Sequence, residues 1–96
     1  MHAQVSTVSL KPGKAEDWLA ITRDSILPAA KERQGFVNAI ILIDREKNTG
    51  IGISLWETAE DAEATATSGF YEEQVAKAAD CIASWERQVF EVAIQV

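Results

Sequence analysis

Hydrophobic and polar residues follow two different periods along this chain. Apolar residues at every second position predict strands, and apolar residues three or four positions apart predict amphipathic helices. The order that results is strand, helix, strand, strand, helix, strand, which is the split βαββαβ arrangement of a ferredoxin-like α+β fold with a four-stranded antiparallel sheet. The predicted strands cover residues 4–10, 36–44, 51–56 and 89–96, and the predicted helices cover residues 15–32 and 59–84.

Three residues predict interruptions or ends within the helices. Pro28 lacks an N–H group, so the first helix should bend or restart near Leu27. Thr58 is the expected N-cap of the second helix, with Asp61 three residues later. Gly69 should divide that helix into two parts. Between the middle strands, the polar segment 45–50 (REKNTG) is expected to form a hairpin turn.

The second predicted strand is apolar on both alternating faces. If the helices cover one side of the sheet, the other side would leave apolar side chains in water. A second copy of the same sheet would cover them, so we expect a homodimer, in which Trp56 fills the space that closes the sheet against helix or partner. The two alternating sets are Phe36, Ile40 and Leu42, and Val37, Ala39, Ile41 and Ile43.

Length and charge exclude several classes of protein. A chain of 96 residues with 47% hydrophobic content predicts one domain over residues 1–96. The formal net charge is -6, and the nine Lys and Arg residues are not clustered, which argues against nucleic acid as a partner. The sequence has neither a signal-peptide pattern nor an apolar run of roughly 20 residues, so we expect no membrane association and a cytoplasmic location.

Cysteine and histidine are too few for several kinds of site. Cys81 is the only cysteine, which excludes an internal disulfide, and its place on an apolar helical stripe favours a small buried side chain. His2 is the only histidine and is expected to be mobile at the start of the chain. Three pairs of adjacent acidic residues fall at predicted helix starts, where a solvated face opposite the helix dipole explains them. No metal site is therefore expected.

Four stretches of the sequence together resemble the antibiotic biosynthesis monooxygenase family and cover nearly the whole chain. They are VSLKPGKAEDW (residues 8–18), ILPAAKERQGF (26–36), LWETAEDAEA (55–64) and SGFYEE (68–73). The resemblance implies a ferredoxin-like domain that pairs with a second copy into a dimeric α/β barrel. It implies less about activity, because the family includes cofactor-independent oxygenases, heme-degrading enzymes and many small proteins without an assigned role.

The heme-degrading branch of the family can be compared residue by residue. It uses an asparagine on the first strand, a tryptophan in the second helix and a histidine that ligates iron. Aligned on LWET, these places fall at Ser6, Thr65 and Val75. None of the three matches, and valine cannot bind iron. We therefore expect no heme turnover; a Soret shift on hemin titration, followed by reductant-dependent bleaching, would contradict this.

The cofactor-independent branch implies a pocket between sheet and helices for a small aromatic ligand. There a phenolic or quinol-like substrate loses a proton and its anion reacts with oxygen, with no cofactor. The candidate pocket residues are Asn38, Trp56, Tyr71 and Trp85. Each has an alternative structural role: Trp56 and Trp85 as core or dimer-interface aromatics, Tyr71 as a packed ring with its hydroxyl in solvent, and Asn38 as a polar group that satisfies backbone beside a bulge. A second class of function also stays open, namely a non-enzymatic module of the same fold that binds a small ligand or serves in stress response or regulation.

Overall fold

A computed structural model describes all residues, 1–96, and confirms the predicted order of strands and helices. The four strands form one antiparallel sheet in the order β2-β3-β1-β4, which is the ferredoxin-like topology. The strands are β1 His2–Leu10, β2 Phe36–Asp44, β3 Thr49–Trp56 and β4 Ile82–Glu91; the α-helices are α1 Ala15–Ile21, α2 Leu27–Lys31, α3 Ala59–Thr67 and α4 Phe70–Lys77, with a π-helix at Thr22–Ile26 and a 3-10 turn at Ala79–Cys81.

The core lies between the helices and one face of the sheet, which we call the inner face. Alternate side chains of β1 point to it, as the sequence pattern predicts, and Val8 and Leu10 are buried there. Trp18 of α1 packs so closely on β3 that a Cβ atom built at Gly50 would lie 2.5 Å from its ring, so this position requires glycine. The buried cluster consists of Val8, Leu10, Trp18, Ala78 and Cys81, which confirms the expectation for Cys81.

The first helix is interrupted where Pro28 predicts it. Because Pro28 has no N–H, the carbonyl of Asp24 cannot receive the usual α-helical hydrogen bond. The chain widens instead into the π-helix Thr22–Ile26, and the Leu27 amide donates to the carbonyl of Thr22. Widened turns of this kind are often found at functional sites.

The ends of the second helix are as predicted at two positions. The Thr58 hydroxyl accepts a hydrogen bond from the Asp61 amide at 3.0 Å and caps α3. Gly69 has a φ of 85°, and this left-handed residue separates α3 from α4. Arg33 ties this junction to the end of α2: its guanidinium donates to the Ser68 hydroxyl and lies 4.5 Å from the centre of the Phe70 ring.

The predicted boundary between the second helix and the last strand is wrong. Residues 78–84 do not continue the helix, because α4 ends at Lys77 and β4 begins at Ile82. The strand ends at Glu91 and not at Val96. Pairing with β1 decides this register, since β4 runs beside the whole length of β1, from His2 opposite Glu91 to Leu10 opposite Ile82. His2 accordingly belongs to β1 and is not a mobile terminal residue.

An apolar outer face remains on the other side of the sheet. Ile40 and Leu42 of β2 are 55% and 46% exposed, whereas Ile41 and Ile43 pack against the core. The strand register extends this apolar surface across the sheet, because Ile40 lies opposite Ile53, which lies opposite Val5. Past β4, the Val92 amide donates to the Met1 carbonyl at 3.0 Å.

Candidate functional site

A cavity of about 120 Å³ lies between the inner face of the sheet and the helices. Its floor comes from β1, β2, β3 and the first residue of β4, and its walls come from α1, the π-helix, α2, α3 and α4. Most of the lining side chains are apolar or aromatic, and none is an aspartate, glutamate, lysine, arginine or histidine. The apolar members include Val8, Trp18, Ile26, Leu27, Ile41, Trp56, Phe70 and Val75.

Trp56 forms part of this wall and is only 2% exposed. Its ring meets Phe36 edge to face, with ring centres 5.6 Å apart and an angle of 86° between the planes. The indole Nε1–H donates to the Ser54 hydroxyl at 2.9 Å, so the one polar atom of the side chain is satisfied. Trp56 is thus a fixed aromatic surface on which a flat ligand can pack.

Tyr71 is the only phenol at the site and is 8% exposed. Its hydroxyl forms a hydrogen bond with the Ser6 hydroxyl across from β1. Burial raises the pKa of Tyr71 above its ordinary value; the Ser6 hydrogen bond and the Arg87 guanidinium oppose this shift, and the nearby Glu72 adds to it. Tyr71 therefore stays protonated at neutral pH and can donate a hydrogen bond.

Two residues of β4 support the Tyr71 ring. The guanidinium of Arg87 lies 5.4 Å from its centre, and the Trp85 ring lies 5.2 Å away at an angle of 58°. The register of the sheet explains this arrangement, because Arg87 is directly opposite Ser6 and the two side chains share a face. Neither Arg87 nor Trp85 lines the cavity itself.

Four further polar side chains lie in the wall. Thr65 Oγ1 is 2.6 Å from Gln4 Oε1 and 2.7 Å from the carbonyl of Ala62, and its single proton can serve one of them. Thr22 Oγ1 and Gln74 Oε1 are buried and have no hydrogen-bond partner. Unpaired buried polar atoms cost free energy, and a bound ligand or water is a usual reason for them.

The four predicted site residues do not all meet at this cavity. Trp56 and Tyr71 line it, and Trp85 contacts Tyr71 from behind while remaining 43% exposed. The placement of Asn38 beside Trp56 and Tyr71 is wrong, since Asn38 is exposed on the outer face. A bulge between Phe36 and Asn38 is the reason: Phe36 pairs with Trp56 and Asn38 with Leu55, so the alternation shifts by one residue.

Ser6, Thr65 and Val75, the three positions compared with the heme-degrading branch, all line the cavity. Sequence reasoning missed Gln4, Thr22 and Gln74 as lining residues. Gln4 could have been found, because it continues the alternation of Ser6 and Val8 on the inner face. Thr22 could also have been found, because it lies at helical spacing between Trp18 and Ile26, which line the same cavity.

No group of three or more histidine, cysteine, aspartate or glutamate side chains gathers where it could hold a metal ion. The helices are all too short or too polar to cross a bilayer. What the site offers is an apolar space, aromatic surface and hydroxyl or amide groups that can bind a neutral polar substituent.

Solved structures with the same fold include proteins named as antibiotic biosynthesis monooxygenases. A cofactor-independent oxygenase, SnoaB of Streptomyces nogalater, superposes with a TM-score of 0.76 at 14% identity, over 99% of this chain and 95% of its own. A protein of Nitrosomonas europaea, provisionally named an antibiotic biosynthesis monooxygenase, gives 0.77 at 19% identity over 98% and 100%. One from Deinococcus radiodurans, also provisionally named, gives 0.79 at 10% identity over 100% and 96%. At these identities the likeness establishes the fold alone.

Sequence comparison adds little about activity. No family model matches the chain. Two uncharacterized proteins of Mycobacterium tuberculosis, from two strains, are 33% identical over 60 residues, which is 62% of this chain. The matched segment is 25% of the length of those proteins, so the chain corresponds to about a quarter of them.

Proposed function

We propose that the cavity binds a small hydroxylated aromatic compound of the quinol class, and that the protein oxidises it with molecular oxygen without a metal or flavin. The observation that carries the proposal is the hydrogen-bonded pair of hydroxyls, Ser6 and Tyr71, in the wall of an otherwise apolar cavity. Apolar walls favour an aromatic ring, and the hydroxyl pair gives its polar substituent a place to bind. The resemblance of the fold to a cofactor-independent oxygenase supports the same chemistry.

In the proposed reaction the protein stabilises the electron-rich anion of the substrate. Tyr71, held protonated by burial, donates a hydrogen bond to the substrate oxygen, and the positive charge of Arg87 lies behind the Tyr71 ring. The substrate proton passes to solvent water, because no side chain of the lining is an ordinary base. The anion transfers electrons to oxygen, and one oxygen atom forms a bond to a ring carbon of the substrate. The other oxygen atom leaves as water with two hydrogen atoms, so a quinol gives a hydroxyquinone. The apolar lining limits the contact of the anion with water.

Oxygen uptake with a panel of single-ring quinols tests this function. We expect uptake matched one to one by product, with one atom of labelled oxygen incorporated. Tyr71→Phe keeps the ring and removes the hydroxyl, so the turnover rate should fall about 100-fold. Lys47→Gln in the hairpin turn, far from the cavity lining, is the control and should leave the rate unchanged. Oxygen uptake that is the same in the Tyr71→Phe variant would contradict the role of Tyr71.

A second candidate function is binding without turnover. It is favoured by one observation: no carboxylate or imidazole lines the cavity, so the site has no ordinary base to accept the substrate proton. The same panel separates the two functions. Saturable binding measured by quenching of tryptophan fluorescence, with oxygen uptake no faster than in buffer, would identify a binding module.

We further propose that the functional unit is a homodimer joined through the outer face. Ile40, Ile53 and Val5 form a continuous apolar row across three strands of this face. A self-complementary sheet surface is well suited to a second copy of the same chain. Since the cavity opens on the inner face, pairing through the outer face leaves both sites separate from the interface.

A further inference from the structure

We infer that the ligand of the cavity has a single aromatic ring, and that Gly52 on the cavity floor leaves the space that this ring occupies. The inference rests on the proposed binding function and narrows its substrate class. It does not depend on whether the bound compound is oxidised.

The size of the cavity is the first step of the argument. Its volume is about 120 Å³. An apolar cavity of about 150 Å³, engineered in another protein, takes up one benzene molecule. A compound with two or three fused rings exceeds this volume. It would either displace wall residues such as Ile41 or Trp56, which are held by the core and by aromatic packing, or leave part of its ring system outside the apolar lining.

The floor of the cavity is the second step. Gly52 lies in β3 between Ser6 of β1 and Ile41 of β2, each directly opposite it in the sheet. A Cβ atom built at Gly52 would meet only Ile41 Cδ1, at an ordinary contact distance of 3.6 Å. The φ angle of Gly52 is not in the left-handed region, so the backbone tolerates a side chain there. Gly52 differs in this from Gly50, whose missing Cβ is required by Trp18.

The absence of a side chain at Gly52 is thus not required by the fold, and its effect is to leave space above the floor. An aromatic ring placed against this flat backbone strip lies beside Ser6, the strand neighbour of Gly52. A hydroxyl on the ring then comes next to the Ser6 and Tyr71 hydroxyls, which are already joined by a hydrogen bond. The geometry favours one ring with a polar substituent at its edge.

Anaerobic calorimetric titration with three redox-stable hydroxyarenes tests the size limit. The probes are phenol, 1-naphthol and 9-phenanthrol, which share one hydroxyl and differ in ring number. Burial of more apolar area would by itself make affinity rise with ring number. We expect the reverse order for this protein, with phenol binding about tenfold or more tightly than 9-phenanthrol, since enclosed pockets discriminate by this amount for small differences in size.

Two variants test whether the ring lies over Gly52 and whether Ile41 bounds the space. Gly52→Ala should weaken phenol binding about tenfold. Ile41→Ala, which enlarges the same space, should strengthen 1-naphthol binding by a similar factor. Ile51→Ala is the control. It removes the same side-chain volume as Ile41→Ala, but from the outer face of β3, and should leave each Kd within about twofold. Thermal unfolding identifies any variant that fails to fold, in which case the order of the three probes on the unchanged protein decides.

The outcomes separate the two proposals. Equal or tighter binding of 9-phenanthrol than of phenol would overturn the size limit, and an unchanged Kd for phenol in a folded Gly52→Ala variant would overturn the placement of the ring over Gly52. Binding in the expected order with no oxygen uptake from hydroquinone would overturn only the proposed oxidation. Absence of binding for all three probes would overturn both.

Discussion

Trp56 is the residue that joins most features of this site. It is the last residue of β3, packs edge to face with Phe36 and lines the cavity. Replacing it with alanine removes a fully buried ring, and we expect the free energy of unfolding to fall by about 3–5 kcal/mol. Urea denaturation measures this. Trp85→Ala is the matched control, because Trp85 is partly exposed, and its loss should be less than half as large.

Tyr71 should give the protein a distinct response to alkaline pH. Its pKa is raised above 10.0 in the folded protein, so the folded state retains the phenol proton to higher pH than the unfolded state does. The resulting stabilisation is fully present below pH 10.0 and is lost as the pH rises through the raised pKa. Because Tyr71 is the only tyrosine, tyrosinate absorbance reports its titration directly.

The matched variant is Tyr71→Phe. The fall in stability between pH 9 and pH 11 should be smaller in this variant than in the unchanged protein. The groups with charges acting on the hydroxyl are Arg87 of β4, which favours the phenolate, and Glu72 of α4, which opposes it. A tyrosinate titration centred at or below pH 10.0 would contradict the raised pKa.

Single residues of the site were predictable where the period of their own element held. Trp56 and Tyr71, two of the four candidates, line the cavity, and Ser6 and Val8 alternate onto the same face of β1. Asn38 was misplaced because one bulged residue reverses the alternation, and bulges follow from pairing between strands. No signal in the sequence identifies Gln74 as a lining residue, because a glutamine on a short helix is usually solvated.

At the level of elements, α3 depends on its cap. The Thr58 hydroxyl satisfies the Asp61 amide, which otherwise has no partner in the first turn of the helix. Thr58→Ala should lower the free energy of unfolding by about 1 kcal/mol. Thr67→Ala, whose hydroxyl bonds only to the Glu63 carbonyl within the same helix, should change stability less. Denaturant unfolding of both variants gives the comparison.

The order of the elements was predictable from hydrophobic period, but the boundaries of the last two were not. The segment Ala78–Ser84 has apolar residues at helical spacing, yet only Ala79–Cys81 forms a helical turn. Pairing along the full length of β1 outweighs this local preference and draws Ile82 into β4. The final residues, 92–96, alternate like a strand but extend past the end of β1, and only Val92 is still bonded to it, through the Met1 carbonyl.

For the whole molecule, assembly is the main prediction. Light scattering coupled to size exclusion should give a dimer mass at tens of micromolar protein. Ile40→Lys places an unpaired charge on the outer face and should yield monomer or aggregate. Arg45→Lys in the hairpin turn keeps the charge and should have no effect on mass. A monomeric mass for the unchanged protein would leave Ile40 and Leu42 without the partner that their exposure calls for.

The hydrogen bond between Val92 and Met1 brings the two ends of the folded unit to the same point. The chain can therefore begin and end the folded unit at neighbouring points without distorting the sheet. Units of this kind tolerate circular permutation and insertion into a host sequence. Joining residue 92 to residue 1 through a short glycine linker and opening the chain within the turn between β2 and β3 should preserve the sheet, and the same geometry suits the unit to being one module of a longer polypeptide.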